Sequence, residues 1–261
     1  MYNSGSLEYI VGSSYMADYR PGIAYFSRSS VDKYEFARTP MPELFYIPHP
    51  GSNLSGAYTK SDEYPHHYFI SHSLSPSIFL SPSRPIARFV DDSGEARKIA
   101  EEVFEAMANE KLPKEILISV LPLSDFRIVH SQFGSWDPGI LGFSVNGRQK
   151  LVFVKEDSLD SMLIVLGHEI GHVLTDPLPN KHDEEAKAFA FSIEWAKAIK
   201  RHDIAGLGKS ISDELNFNPA RNGLHDVAFG FVDFMMKKGR KAFDVHKDLT
   251  KGYRSVFDAN Y

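Results

Sequence analysis

Apolar residues recur every three or four positions through most of the second half of the chain, and alternate in short runs just before it. Ile99, Val103, Ala106 and Met107 share one face of a segment opened by Asp91-Asp92-Ser93, which predicts a capped helix over about 93–110. Residues 116–121, 126–130, 140–145 and 151–154 read as strands, and the last two flank Asn146-Gly147, a strong signal for a tight hairpin. Leu163, Ile164, Leu166, Ile170, Val173 and Leu174 make the next segment an apolar helix over about 158–174. Asp157 or Ser158 caps it, and Asp176, Pro177 and Pro179 stop it. A second long helix follows at about 183–202, with Ala186, Phe189, Ala190, Ile193 and Ala196 as its apolar stripe, and two more cover about 223–238 and 241–258. Helix, antiparallel strands, then helices is the order of an α+β domain whose helices pack on one face of a mainly antiparallel sheet.

The pattern is different before residue 90. Ten of the twelve tyrosines, nine of the fifteen prolines and sixteen serines fall in residues 1–90, where seven basic and seven acidic residues cancel. Short aromatic runs at 23–26, 44–47 and 68–70 alternate with Pro, Ser and Gly, as short strands and turns do. So many aromatic residues argue against simple disorder. We therefore divide the chain into an aromatic region, 1–90, and a domain, 91–261. Short strands make little core alone, so the first region is expected to fold against the second, either completing its sheet or restricting its cleft.

Composition narrows the chemistry. With no cysteine there are no disulfides, no thiolate catalysis and no metal site with sulfur ligands, so a metal would need His and carboxylate ligands. A formal net charge of −5 gives no basic excess for nucleic acid. The first twenty residues show neither a basic n-region nor a continuous apolar stretch, and no apolar run approaches the roughly 20 residues needed to span a bilayer. The expected compartment is the cytoplasm, with no membrane partner.

The chemistry concentrates on the apolar helix as His168-Glu169-Ile170-Gly171-His172. Four residues apart on a helix, the two imidazoles project from one side and can take adjacent corners of a zinc tetrahedron. Glu169 can then reach a water on the open corner and act as general base in attack on a carbonyl. A His and Glu cluster inside a buried helix is costly unless something is coordinated there, and Gly171 permits close backbone approach.

At this point residues 94–200 resemble the zincin metallopeptidases, and among them the gluzincins, with ImmA/IrrE-type peptidases and minigluzincins as the nearest look-alikes. The shared features are HExxH, a short connection, then a helix with acidic residues followed by Ala and an aromatic, here His182-Asp183-Glu184-Glu185-Ala186-Lys187-Ala188-Phe189-Ala190. The resemblance implies Zn²⁺ held by His168, His172 and a carboxylate of the second helix, catalysis by Glu169, and a sheet edge that pairs with an extended substrate. Three carboxylates compete for the third position. Glu184 points away from the apolar stripe, while Glu185 and Asp183 flank it, and Glu185 has small Ala188 at i+3. Asp183 fits better if Ala186-x-x-Phe189-Ala190 is aligned with the family's small-x-x-Phe-Ala pattern, but Lys187 then stands where those families carry Asp or Asn. Glu185 is favoured, then Asp183, then Glu184, with His182 read as a core or supporting histidine.

Other residues carry weaker signals. His225, His246 and Tyr253 are candidates for stabilising an oxyanion, each with an ordinary packing role as the simpler alternative. Pro65-His66-His67 with His72 matches no ligand spacing and reads as strand and loop. Phe229, Phe231, Phe234, Met235 and Met236 read as helix core, and Lys237-Lys238-Gly239-Arg240-Lys241 as a basic helix end. The expected function is a zinc peptidase acting on a peptide or a narrow protein substrate. The alternatives are a non-catalytic zinc protein and a latent peptidase covered by its own first region.

Overall fold

Asp92 opens the first helix as the sequence pattern anticipates: its side chain accepts the Glu95 N–H at 2.6 Å, and Ala96, Ile99, Ala100, Val103 and Phe104 form the buried face. The computed structural model describes residues 68–70, 74–217 and 223–258. Their elements are β1 (Tyr68–Ile70), β2 (Phe89–Val90), α1 (Ser93–Ala108), β3 (Ile116–Leu121), α2 (Leu123–His130), β4 (Gly142–Asn146) and β5 (Lys150–Lys155). After these come β6 (Asp157–Ser158), α3 (Leu159–Val173), α4 (Lys181–His202), α5 (Leu224–Lys237) and α6 (Ala242–Thr250). The architecture is α+β. No helix among the described residues is long and apolar enough to cross a membrane.

The main sheet runs β1-β4-β5-β3. β4 and β5 form the hairpin signalled by Asn146-Gly147, closed by the pair Asn146 and Lys150. β1 lies antiparallel on the other side of β4, whereas β3 is parallel to β5, so the sheet is mixed. β2 and β6 make a separate two-stranded ladder. Leu74, Ile78, Phe79, Leu80 and Val90 belong to the same core as the helices, so residues 74–90 are built into the body they precede.

Three expectations are corrected, one of them that helices pack on a single face of the sheet. Residues 126–130 are the end of helix α2 and not a strand. Pro122 precedes the helix, and only Phe126 and His130 are buried, a spacing of four that suits a helix lying on the sheet. Their rings meet Phe143 of β4 at centroid distances of 5.3 and 5.1 Å, so helices cover both faces of the sheet. The last helix ends at Thr250, not near 258, because the chain turns at Gly252 with φ +67°. The aromatic runs at 23–26 and 44–47, and His66, His67 and His72, lie outside the described residues.

α4 is the hub of the helical layer, packed by α1, α3, α5 and α6. Asn180 caps its start by accepting the His182 N–H at 2.8 Å. Of the aromatic and methionine cluster on α5, Phe229, Phe231 and Met235 are buried in the core, with Phe234 and Met236 partly buried against it. In the basic segment after it, Lys237 pairs with Asp233, Arg240 with Asp248, and Lys238 sits over the Phe234 ring.

Candidate metal centre

Small residues let α3 and α4 come close enough for their polar side chains to meet. A Cβ on Gly171 would stand 3.0 Å from Phe191 Cβ and 3.1 Å from Ala188 Cα, and one on Gly167 would strike the Trp195 ring at 2.5 Å. Trp195 is held there by donating its Nε1–H to Leu163 O at 3.0 Å. Between the two helices, His168, His172 and Glu185 are all buried.

The three side chains aim at one point. His168 Nε2 and His172 Nε2 are 3.3 Å apart, and each lies 3.6 Å from an oxygen of Glu185. A tetrahedral cation with ligand bonds of about 2.0–2.1 Å spaces its ligand atoms about 3.3–3.4 Å apart, so the two nitrogens have the spacing of two corners of such a shell, and the carboxylate faces both with one oxygen toward each. The far nitrogens fix the tautomers. Ser192 Oγ donates to Ala188 O at 2.7 Å and so accepts from His168 Nδ1–H at 3.2 Å, while His172 Nδ1–H donates to Glu184 Oε1 at 2.8 Å. Both Nε2 lone pairs then face the shared point. The group formed by His168, His172 and Glu185 can hold a metal ion.

Glu184 does not point to solvent. It is buried, and its carboxylate accepts from His172, from Leu178 N–H at 2.7 Å and from Lys187 Nζ at 2.9 Å. These donors outweigh the cost of burial and hold its pKa below the usual carboxylate range. The wheel projection fails here because α4 has helices around it and no single solvent face, so the side opposite the apolar stripe meets the end of α3. Asp183 is also away from the metal point: its carboxylate accepts from Val256 N–H at 2.6 Å and from Ser255 Oγ, fastening the C-terminal segment. His182 is half-buried against the Phe257 ring.

Lys187 is fully buried and donates to His172 O at 3.1 Å and Asp176 O at 3.3 Å. Asn146 Nδ2 donates to His172 O and Thr175 O at 2.9 and 2.7 Å, and Lys150 Nζ to Leu174 O at 3.3 Å. The free carbonyls at the end of α3 are therefore satisfied by three side chains, two of them cationic, which suits the negative end of a helix. Sequence reading missed these residues. The signal for Asn146 was the alternation along β4, which turns Gly142, Ser144 and Asn146 to one face.

That face also surrounds Glu169. A Cβ at Gly142 would come within 2.4 Å of Val165 Cγ1 and 3.0 Å of Glu169 Cγ, so only glycine lets β4 pass this close. Glu169 is buried, and its Oε2 makes no hydrogen bond among the described residues. Burial raises its pKa to about 8, against the pull of His168 and the Ser144 hydroxyl toward the charged form. Around the metal point three carboxylates, Glu169, Glu184 and Glu185, face one buried ammonium, Lys187. With neutral imidazoles, and with Glu169 held protonated near neutral pH by its burial, one negative charge is left over, a costly excess inside a protein that a divalent cation would offset.

Of the oxyanion candidates, His225 reaches the site. It is buried on α5, edge-on to Phe189, with Nε2 3.5 Å from Glu185 Oε2. Tyr253 is exposed and does not. His246 is buried between α4 and α6, its Nδ1 3.1 Å from Lys187 O, and burial lowers its pKa to about 4. Between pH 6.5 and about 4 the unfolded chain protonates this imidazole and the folded chain does not. The stability it contributes is therefore full above pH 6.5 and falls by about 3 kcal/mol as pH drops through that window. In urea unfolding, the difference between wild type and His246→Gln should shrink by this amount from pH 7 to pH 4. A difference that does not change with pH would show that His246 is not neutral in the fold.

Comparison of the chain with family models, with curated proteins and with solved structures finds no match.

Proposed function

We propose that the chain is a zinc-dependent metallopeptidase of the zincin kind, with His168, His172 and Glu185 as ligands and Glu169 as general base, acting on a peptide or protein substrate. The observation that carries this is the convergence of two Nε2 atoms, 3.3 Å apart, on one carboxylate whose two oxygens each lie 3.6 Å from one of them, beside a buried carboxylate with a free oxygen. Zinc at such a point supplies a Lewis acid and makes water nucleophilic near neutral pH. The donor set fits it, because nitrogen and oxygen ligands with one corner open are the pattern of catalytic sites.

The chain's own groups supply the rest. Glu169 accepts the proton of the attacking water at Oε2 and can return it to the leaving amine. Gly142 leaves room for its side chain, and the Ser144 hydroxyl favours its charged form. Ser192 and Glu184 keep the histidines in the ligating tautomer. His225 is the nearest candidate to bear on a developing oxyanion or to steady Glu185. Against a purely structural zinc role stands Glu169 itself, a buried carboxylate that no coordination shell of three ligands requires.

Metal analysis of protein purified without added zinc tests the reading. About one zinc per chain is expected, with cleavage of a peptide library that stops on chelation and returns with zinc. The metal-free protein should melt about 5–10 °C lower. Protein without metal, and indifferent to added zinc, would end the proposal.

A further inference from the structure

The edge of the sheet next to Glu169 is already taken. Lys155 N–H donates to Leu141 O at 2.9 Å, so by the alternation of an antiparallel ladder Leu141, Phe143 and Val145 turn their main-chain groups toward β5. Gly142, Ser144 and Asn146 then turn theirs the other way. On that side lies β1, antiparallel, with Tyr68 opposite Asn146 and Ile70 opposite Ser144. An extended peptide joining a sheet edge uses these same main-chain groups. Ser144 and Gly142 are also the β4 residues whose positions bear on Glu169. The site behind this edge is closed: His168, Glu169, His172 and Glu185 are each no more than 1% exposed.

We propose that Tyr68–Ile70 is a built-in occupant of the strand position that a peptide substrate takes on β4, so that the described state is a latent one and activity requires β1 to leave. The proposal rests on the peptidase reading and specifies how that site is regulated. It also gives the substrate a form, an extended segment running antiparallel to β4. β1 has only three residues, and its ladder with β4 is correspondingly short. A strand that short is displaced more easily than the long strands of a sheet interior.

The test weakens β1 without touching the site. Ile70→Pro removes the N–H that faces Ser144, and Tyr68→Pro the one that faces Asn146. Each lost main-chain bond should raise the open fraction roughly two- to tenfold, and the double variant at least as far as the stronger single one, since neighbours in one ladder need not act independently. Three readouts follow on the full chain. Amide exchange at Ser144 and Asn146 should quicken. Binding of a labelled peptide with the sequence of residues 66–72 should be stronger in the variants than in wild type. Peptide cleavage should rise by the same factor, at unchanged zinc content.

Faster exchange with no gain in peptide binding would overturn the proposal and make β1 a plain completion of the sheet. Unchanged exchange would overturn it as well. Should Ile70→Pro fail to fold, Tyr68→Pro carries the same three readouts. If neither variant folds, β1 is part of the core and the proposal falls. Peptide binding that rises in protein without zinc or cleavage would uphold the occupied edge while ending the peptidase reading.

Discussion

Replacing Glu169 by Gln is expected to leave the protein folded and zinc-loaded and to cut peptide hydrolysis by about 10² to 10⁴-fold. Gln has nearly the volume of Glu, so the narrow space beside Gly142 and Val165 stays filled. What is lost is the ability of Oε2 to accept a proton. The ligands are untouched, so zinc content should not change. Stability should hold or rise, because burial already raises the pKa of this carboxyl to about 8 and a neutral amide escapes that cost. The pairing of lost rate with undiminished stability marks a group kept for chemistry. A Gln variant that cleaves as fast as wild type would remove Glu169 from the mechanism.

The largest stability effect is expected from Glu184→Ala. Lys187 is fully buried with Glu184 as its carboxylate partner at 2.9 Å, and removing one member of a buried pair costs about 3–5 kcal/mol. The same change frees His172 Nδ1, and losing such a supporting carboxylate typically weakens metal affinity about 10- to 100-fold. Glu185→Ala should differ in kind, removing a ligand and with it most of the zinc binding. Asp183→Ala should loosen the segment at Ser255 and Val256 with little effect on metal. A zinc titration with a thermal melt of each variant separates the three acids. Glu184→Ala with wild-type stability and affinity would mean that its side chain faces water after all.

Much of this chain was legible in one dimension. The caps and apolar periods located α1, α3, α4 and α5 to within a few residues, and Asn146-Gly147 located the hairpin. His168, Glu169 and His172 stand out because a helix fixes the relation of i to i+4 locally, whatever surrounds it. Glu185 was preferred from the sequence by its place beside the apolar stripe, and it is the carboxylate that meets both histidines.

What the sequence did not determine depends on who the neighbours are. α2 was misread as a strand because its β-branched pair, Ile128-Val129, favours one locally, whereas burial of Phe126 and His130 against Phe143 favours a helix. Glu184 was misread because a wheel assigns one face to water, and α4 is enclosed by four other helices. Its partners His172, Leu178 and Lys187 come from two helices and the turn between them. Likewise, no local pattern could tell that β1 would take the edge of β4, since strand pairing is a contact between residues some 75 positions apart. Local hydrogen bonding and periodicity wrote the helices and the metal motif into the sequence. The partners that orient the two histidines, the charge balance and the closed edge were decided only by packing in three dimensions.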